Sequence, residues 1–189
     1  MKFQLRTTQP AIKYMPWKKL SSKQVYKSKW MEVTEDQVET ETGKPLTYGV
    51  VHKEPFALII PWDGTHFTLV GQYRYPVDYF SWEFPQGHLE HDTVYETALR
   101  ELKEETGLKA ESIEEIGSFH LAPGHHSQVC HVFFATKILK GDSEREQSEE
   151  DMETKEITLE ELEKMINEGE IKDGSTIAAF SLLRLKKVL

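Results

Sequence analysis

Apolar and polar positions alternate in short runs along the first half of the chain, the period of half-buried β-strands. Residues 23–33 carry Val25, Tyr26, Trp30 and Val33 among polar neighbours, which predicts one strand. Residues 35–41 and 46–52 flank Thr42-Gly43-Lys44-Pro45, a turn signal, so a hairpin is expected there. Residues 56–61 form an unbroken apolar run, the mark of a strand buried on both faces. Asp63-Gly64 then turns the chain into an alternating strand over 67–73. The period changes at Thr93. Thr93 with Glu96 forms a capping box, and Tyr95, Ala98, Leu99 and Leu102 follow at helical spacing until Gly107. Strand patterns return over 113–121 and 128–139. Residues 142–156 hold almost no hydrophobes and read as a loop. Thr158 and Glu161 open a second capped helix ending at Gly169, and a last helix is predicted over about 175–187.

Strands come early and the few helices lie between or after them, so the fold class is α+β rather than a repeated βαβ unit. An antiparallel segment over 1–52 and a main domain over 53–189 are the expected divisions. The hydrophobic fraction is only 38%, yet 9 Phe, 7 Tyr and 4 Trp supply enough large side chains for a packed core. Cys130 is the single cysteine, so no internal disulfide is available and a small buried thiol is expected. No signal-like stretch opens the chain, and its longest apolar run, Phe56 to Ile60, falls far short of the ~20 residues of a membrane helix. A cytoplasmic protein is expected, with no membrane partner.

Acidic residues number 32 against 23 basic, a formal charge of −9. Such a surface repels nucleic acid and anionic membranes. Much of the excess is local, because residues 142–156 carry eight acidic and two basic side chains. A second concentration lies on the first helix, where Glu101, Glu104 and Glu105 stand at i, i+3 and i+4 and emerge side by side. They repel one another, and they occupy the half of the helix whose dipole disfavours negative charge. Either this is a solvated charged face, or a divalent cation sits among the carboxylates. Hard oxygen donors without cysteine select Mg²⁺, Mn²⁺ or Ca²⁺ over zinc. The histidines His88, His91, His120, His125 and His126 fit no tight zinc spacing.

The wider pattern separates these readings. Gly87-His88-Leu89-Glu90-His91-Asp92-Thr93, leading into Arg100-Glu101-Leu102-Lys103-Glu104-Glu105-Thr106-Gly107-Leu108, resembles the Nudix box of pyrophosphohydrolases. The second half matches every fixed position. The first half is one residue shorter than the family's and places Asp92 where the family has a Glu that supports the loop. Gln72-Tyr73-Arg74-Tyr75-Pro76, Trp82-Glu83-Phe84-Pro85-Gln86-Gly87 and Leu121-Ala122-Pro123-Gly124 with Gln128 are similar to the subgroup that cleaves ADP-ribose and related nucleoside diphosphate sugars.

The resemblance implies an α/β/α sandwich with a mixed sheet, preceded by a small antiparallel sheet exchanged across a homodimer. It implies Mg²⁺ as cofactor, with Mn²⁺ as a substitute, held by Glu101, Glu105, Glu104 and the main-chain carbonyl of Gln86. It makes Arg100 a structural residue that fixes neighbouring carboxylates. Glu149, Glu150 and Glu153 in the acidic segment become candidates for the general base, Glu150 and Glu153 foremost. Arg74 becomes the candidate phosphate ligand, since a guanidinium binds phosphate oxygens in pairs. Trp17 and Trp30 become candidates for stacking on the base, and His88 for lining the pocket. Two further readings stand beside a nucleotide-sugar hydrolase. One is a Nudix enzyme acting on nucleoside triphosphates or capped RNA; the other is a non-catalytic binding module of the same fold.

Overall fold

A computed structural model describes residues 16–143 and 151–189. The chain divides into two compact units, residues 1–52 and 53–189.

In the first unit, β1 (Lys18–Lys27), β2 (Glu32–Glu39) and β3 (Pro45–His52) form an antiparallel sheet in the order β1-β2-β3. The expected hairpin is present: Gly43, at φ +73°, donates its N–H to Thr40 between β2 and β3. The single strand expected over 23–33 is instead broken into β1 and β2. Ser28 folds the chain there, its N–H donating to the Met31 carbonyl and its hydroxyl accepting from Trp30 and Met31. The sheet's buried side chains are the polar Thr34 and Asp36 of β2. The Ser22 hydroxyl donates to Asp36 at 2.5 Å, and Lys19 lies 3.5 Å from the same carboxylate.

The second unit is built on β4 (Phe56–Pro61), whose six residues are all buried. β4 lies at the centre of a mixed sheet in the order β7-β4-β9-β8, parallel to β9 (Val129–Leu139) and antiparallel to β7 (Gln86–His88), with β8 (Lys109–His120) outermost. Its alternate side chains serve two cores. Ala57 and Ile59 pack with Ala98, Leu102 and Phe133 under α1 (Val94–Thr106). Phe56, Leu58 and Ile60 face a larger cluster that includes Leu162 of α2 (Leu159–Glu168) and Phe180 and Leu183 of α3 (Gly174–Leu185). The same cluster takes Phe67 and Leu69 from β5 (Phe67–Arg74), the middle strand of a second sheet between β6 (Tyr79–Glu83) and β10 (Glu153–Ile157). Helices thus cover both faces of the mixed sheet, the α/β/α arrangement expected.

Both capping boxes form, Thr93 with Glu96 and Thr158 with Glu161. The loop reading of 142–156 is corrected at its end. Residues 153–157 form β10, a polar, exposed edge strand that pairs with β5. Cys130 is fully buried, and burial pushes its thiol pKa up.

Candidate active site

The site lies where α1 crosses the free edge of β7. Glu101 and Glu105 are one turn apart on the face of α1 turned toward the sheet and are only 6% and 1% exposed. Glu104 projects to the side with a quarter of its side chain exposed. The three adjacent carboxylates therefore do not share one environment.

Register explains what meets them. Ile59 donates to Pro85 and Leu89 to Pro55, which makes 59:85 and 55:89 hydrogen-bonded pairs of the β4–β7 ladder. The pairs Leu58:Gln86 and Phe56:His88 are then the alternating ones, whose main-chain groups point away from β4. β7 is the edge strand, so those groups face α1. The Gln86 N–H donates to Glu105 Oε2 at 3.0 Å, and the His88 carbonyl accepts from Arg100 Nη2 at 3.2 Å. Gly87, between them, lets the Glu101 carboxylate lie directly on the strand; a Cβ there would sit 1.9 Å from its carboxyl carbon.

Arg100 binds the box loop and the helix together. Its guanidinium reaches Asp92 at 3.1 Å, Glu101 at 2.8 Å and Glu104 at 2.8 Å, besides the His88 carbonyl. Asp92 in this sequence thus holds the loop through Arg100. Next to this lies a second network that sequence reasoning missed. Glu83, buried at the end of β6, accepts from both Nε (2.8 Å) and Nη2 of Arg74, and its Oε2 also accepts from the Gln86 side-chain amide at 2.6 Å. The paired donors of Arg74 expected to take phosphate are engaged with Glu83. Glu83 raises the pKa of Arg74, with Glu105 and Asp173 adding to the effect. Asp173 caps α3 by accepting the Thr176 N–H at 2.7 Å, and burial together with the Glu83 charge pushes its own pKa above the usual carboxylate range. Ser81 and Glu83 are polar residues on the inward face of β6, so a search for apolar alternation passes over them.

His88 is exposed on β7, its ring 6.0 Å from Phe56, and partial desolvation of that ring with the Lys53 and Arg74 charges lowers its pKa. Glu153 is exposed at the first position of β10, opposite Gly71. Glu149 and Glu150 lie outside the described residues. Trp17 and Trp30 belong to the first unit and are exposed; Trp17 meets Tyr48 edge-on at 5.9 Å, and Lys29 lies over the Trp30 ring.

Comparison with known proteins follows the same division of the chain. The NUDIX domain model matches residues 52–180, and the nucleoside diphosphate sugar hydrolase N-terminal domain model matches 17–51. This chain belongs to the Nudix family. It is 32% identical to the ADP-ribose pyrophosphatase of Bacillus subtilis (strain 168) over 181 residues, covering 94% of this chain and 98% of the relative. It is 30% identical to the methanol dehydrogenase activator of Bacillus methanolicus over 175 residues, covering 91% and 95%. A solved structure described as an ADP compounds hydrolase superposes with a TM-score of 0.81 at 20% identity, over 90% of this chain and 94% of that one, which shows the shared fold.

Nudix hydrolases generally need a divalent metal, and the donor chemistry of this site fits one. Among the described residues no three acidic, cysteine or histidine side chains already converge on one point, since Arg100 draws Glu101 and Glu104 to itself. Yet the donors are all oxygens. Glu83, Glu101 and Glu105 are buried and Asp173 is half-buried, and these four carboxylates face the two guanidinium groups of Arg74 and Arg100. A net negative, oxygen-lined site is what a hard dication requires. No helix of the described residues is long and apolar enough to cross a membrane.

Proposed function

We propose that this Nudix hydrolase cleaves the pyrophosphate of ADP-ribose or a closely related nucleoside diphosphate sugar, releasing a nucleoside monophosphate and a sugar phosphate. The observation that carries the reading is the pair of buried carboxylates, Glu101 and Glu105, held against the main chain of β7. The relative named an ADP-ribose pyrophosphatase, alike over nearly its whole length, supports the substrate class. So does the match of residues 17–51 to the nucleoside diphosphate sugar hydrolase N-terminal domain.

In this reading Mg²⁺, or Mn²⁺ in its place, is held by Glu101, Glu105, Glu104 and the Gln86 carbonyl. When bound, it neutralises the pyrophosphate and acidifies the attacking water. Gly87 leaves room for the Glu101 carboxylate beside the strand, and Arg100 orients Glu101 and Glu104. Arg74 contributes positive charge toward the substrate phosphates while Glu83 fixes its orientation. Glu150 and Glu153 are the proposed bases for the attacking water, His88 lines the pocket, and Trp17 and Trp30 stack on the base. Catalysis is assigned in this reading to residues 53–189 and dimer formation to residues 1–52. Support for a homodimer comes from the first unit itself: among the described residues neither hydrophobic cluster includes one of it, and Trp17, Leu20, Val25, Tyr26 and Trp30 are exposed there. A cytoplasmic location completes the proposal.

The test is a panel of nucleotide sugars, nucleoside triphosphates and capped RNA, assayed for product release with Mg²⁺ and with chelator, on wild type and Glu105→Gln. Expected are metal-dependent release of AMP and ribose 5-phosphate from ADP-ribose and a severe loss of kcat in the variant with its fold intact. Full activity of Glu105→Gln, or turnover confined to triphosphates or capped RNA, would refute the reading.

A further inference from the structure

The segment Phe84-Pro85-Gln86 links the two sheets, and three consecutive residues in it are each held by a different element. The Ile59 N–H of β4 donates to the Pro85 carbonyl at 2.9 Å. The Gln86 N–H donates to Glu105 of α1 at 3.0 Å. The Phe84 N–H donates to the Thr176 hydroxyl of α3 at 3.0 Å, across 92 residues of sequence. Phe84 has left the ladder of β5, which ends opposite Glu83, and has not joined that of β4, whose first pair is Ile59 with Pro85. Phe84 and Thr176 are both fully buried, so no water replaces this contact. Proline at 85 has no N–H, which leaves the Phe84 amide as the last donor before the strand edge that faces α1.

We infer that Thr176 is a positioning residue, whose hydroxyl sets the path of Phe84-Pro85-Gln86 so that the Gln86 main chain meets Glu105. This rests on the reading of Gln86 and Glu105 as metal-holding residues. Asp173 accepts from both the Thr176 N–H, at 2.7 Å, and the Thr176 hydroxyl, so a substitution that removes only the hydroxyl keeps the main-chain part of the α3 cap. Groups that orient metal-holding residues through hydrogen bonds typically change metal affinity or activity by about ten- to a hundredfold when removed. A contribution of that size is assigned to Thr176.

The test compares Thr176→Val, which keeps the shape and loses the acceptor, with Thr176→Ser, which restores it. Leu183→Ala, in the core beneath the same helix, controls for loss of stability alone. Mn²⁺ binding is measured by electron paramagnetic resonance without substrate, amide exchange of Phe84 and Gln86 by NMR, and kcat and KM for ADP-ribose at saturating metal. Thr176→Val is expected to bind Mn²⁺ at least about tenfold more weakly, to lose protection at both amides and to lower kcat with little change in KM. Thr176→Ser should recover most of each, and Leu183→Ala should lower thermal stability while leaving Mn²⁺ affinity unchanged. Wild-type Mn²⁺ affinity and kcat in Thr176→Val would overturn the inference, as would an equal loss of affinity in Leu183→Ala. If Glu105→Gln binds Mn²⁺ as wild type does, the metal reading itself is wrong. The positioning role is then judged on the Gln86 amide, and unchanged protection in Thr176→Val overturns it.

Discussion

Gly87→Ala is the sharpest single perturbation of this site. A Cβ built at Gly87 lies 1.9 Å from the carboxyl carbon of Glu101 and 2.0 and 2.3 Å from its two oxygens. Ordinary contact between carbon atoms is about 3.5 Å, so the carboxylate must retreat by roughly 1.5 Å or the strand must lift by as much. Neither movement is free. Glu101 is buried and bound to Arg100 at 2.8 Å, and the strand is fixed on one side by β4 and on the other by Glu105. Overpacking of this kind costs about 1–3 kcal/mol of stability. A displacement of about 1 Å at a reacting centre costs on the order of a hundredfold in rate. Gly87→Ala should therefore lower kcat for ADP-ribose about a hundredfold, equivalent to about 2.7 kcal/mol of barrier, and should abolish most of the thermal stabilisation given by Mg²⁺. The assay is AMP release under saturating substrate beside thermal unfolding with and without metal. A variant with wild-type kcat and an undiminished metal-induced rise in Tm would show that Glu101 does not act from this position.

Other substitutions probe the supports of the site separately. The Thr97 hydroxyl, buried on α1 one turn before Glu101, has no hydrogen-bond partner among the described residues, so Thr97→Val should raise stability by about 1 kcal/mol, or roughly 2–4 °C in Tm. A fall in Tm would mean that the hydroxyl is satisfied in solution. Asp173→Asn keeps an acceptor at the cap of α3 and removes the charge opposed to Glu83. The folded-state pKa of Asp173 is raised, so its ionised form destabilises the fold above that pKa. The variant's gain should therefore be present at neutral pH and vanish as pH falls toward the unfolded carboxylate value of about 3.9. Denaturant unfolding at several pH values measures this, and a gain independent of pH would refute the sign. Arg100→Lys replaces a fork by one ammonium and cannot hold Asp92, Glu101, Glu104 and the His88 carbonyl together. Faster proteolysis within residues 88–92 is expected, and unchanged cleavage would count against Arg100 as the tie of the loop.

Local signals in the sequence carried the helices and the carboxylate cluster. Thr93 with Glu96 and Thr158 with Glu161 satisfy helix ends within four residues of themselves, so their outcome needs no distant partner. β7 and β10 were illegible for the opposite reason. Three residues, Gln86 to His88, become a strand only because β4 lies beside them. Glu153 to Glu156 are polar and exposed, so that only pairing with β5 makes them one. Glu83 was hidden because its neighbours in space, Arg74 and Gln86, are what make a buried carboxylate tolerable there. The tie between Phe84 and Thr176 was out of reach of any spacing rule.

The placement of Glu101 and Glu105 still needs a physical reason, because the last turns of a helix are a poor site for negative charge. Burial makes it worse by removing the water that would screen them. If their role were structural, apolar side chains would serve better: Ala98 and Leu102 already pack against the sheet from the adjacent row of the same helix. The fold instead spends scarce main-chain and cationic partners on them, with the Gln86 N–H given to one and Arg100 shared with the other. Arg100 alone cannot neutralise the group, because it also serves Asp92 and Glu104. An arrangement that is costly by itself and oxygen-lined throughout is stabilised by a dication, and the same dication is what an anionic pyrophosphate needs in order to approach a chain of charge −9. Metal and substrate requirements thus arise from one electrostatic fact. Mg²⁺ should raise the Tm of wild type more than that of Glu105→Gln even with no substrate present, and equal shifts in the two proteins would break the connection.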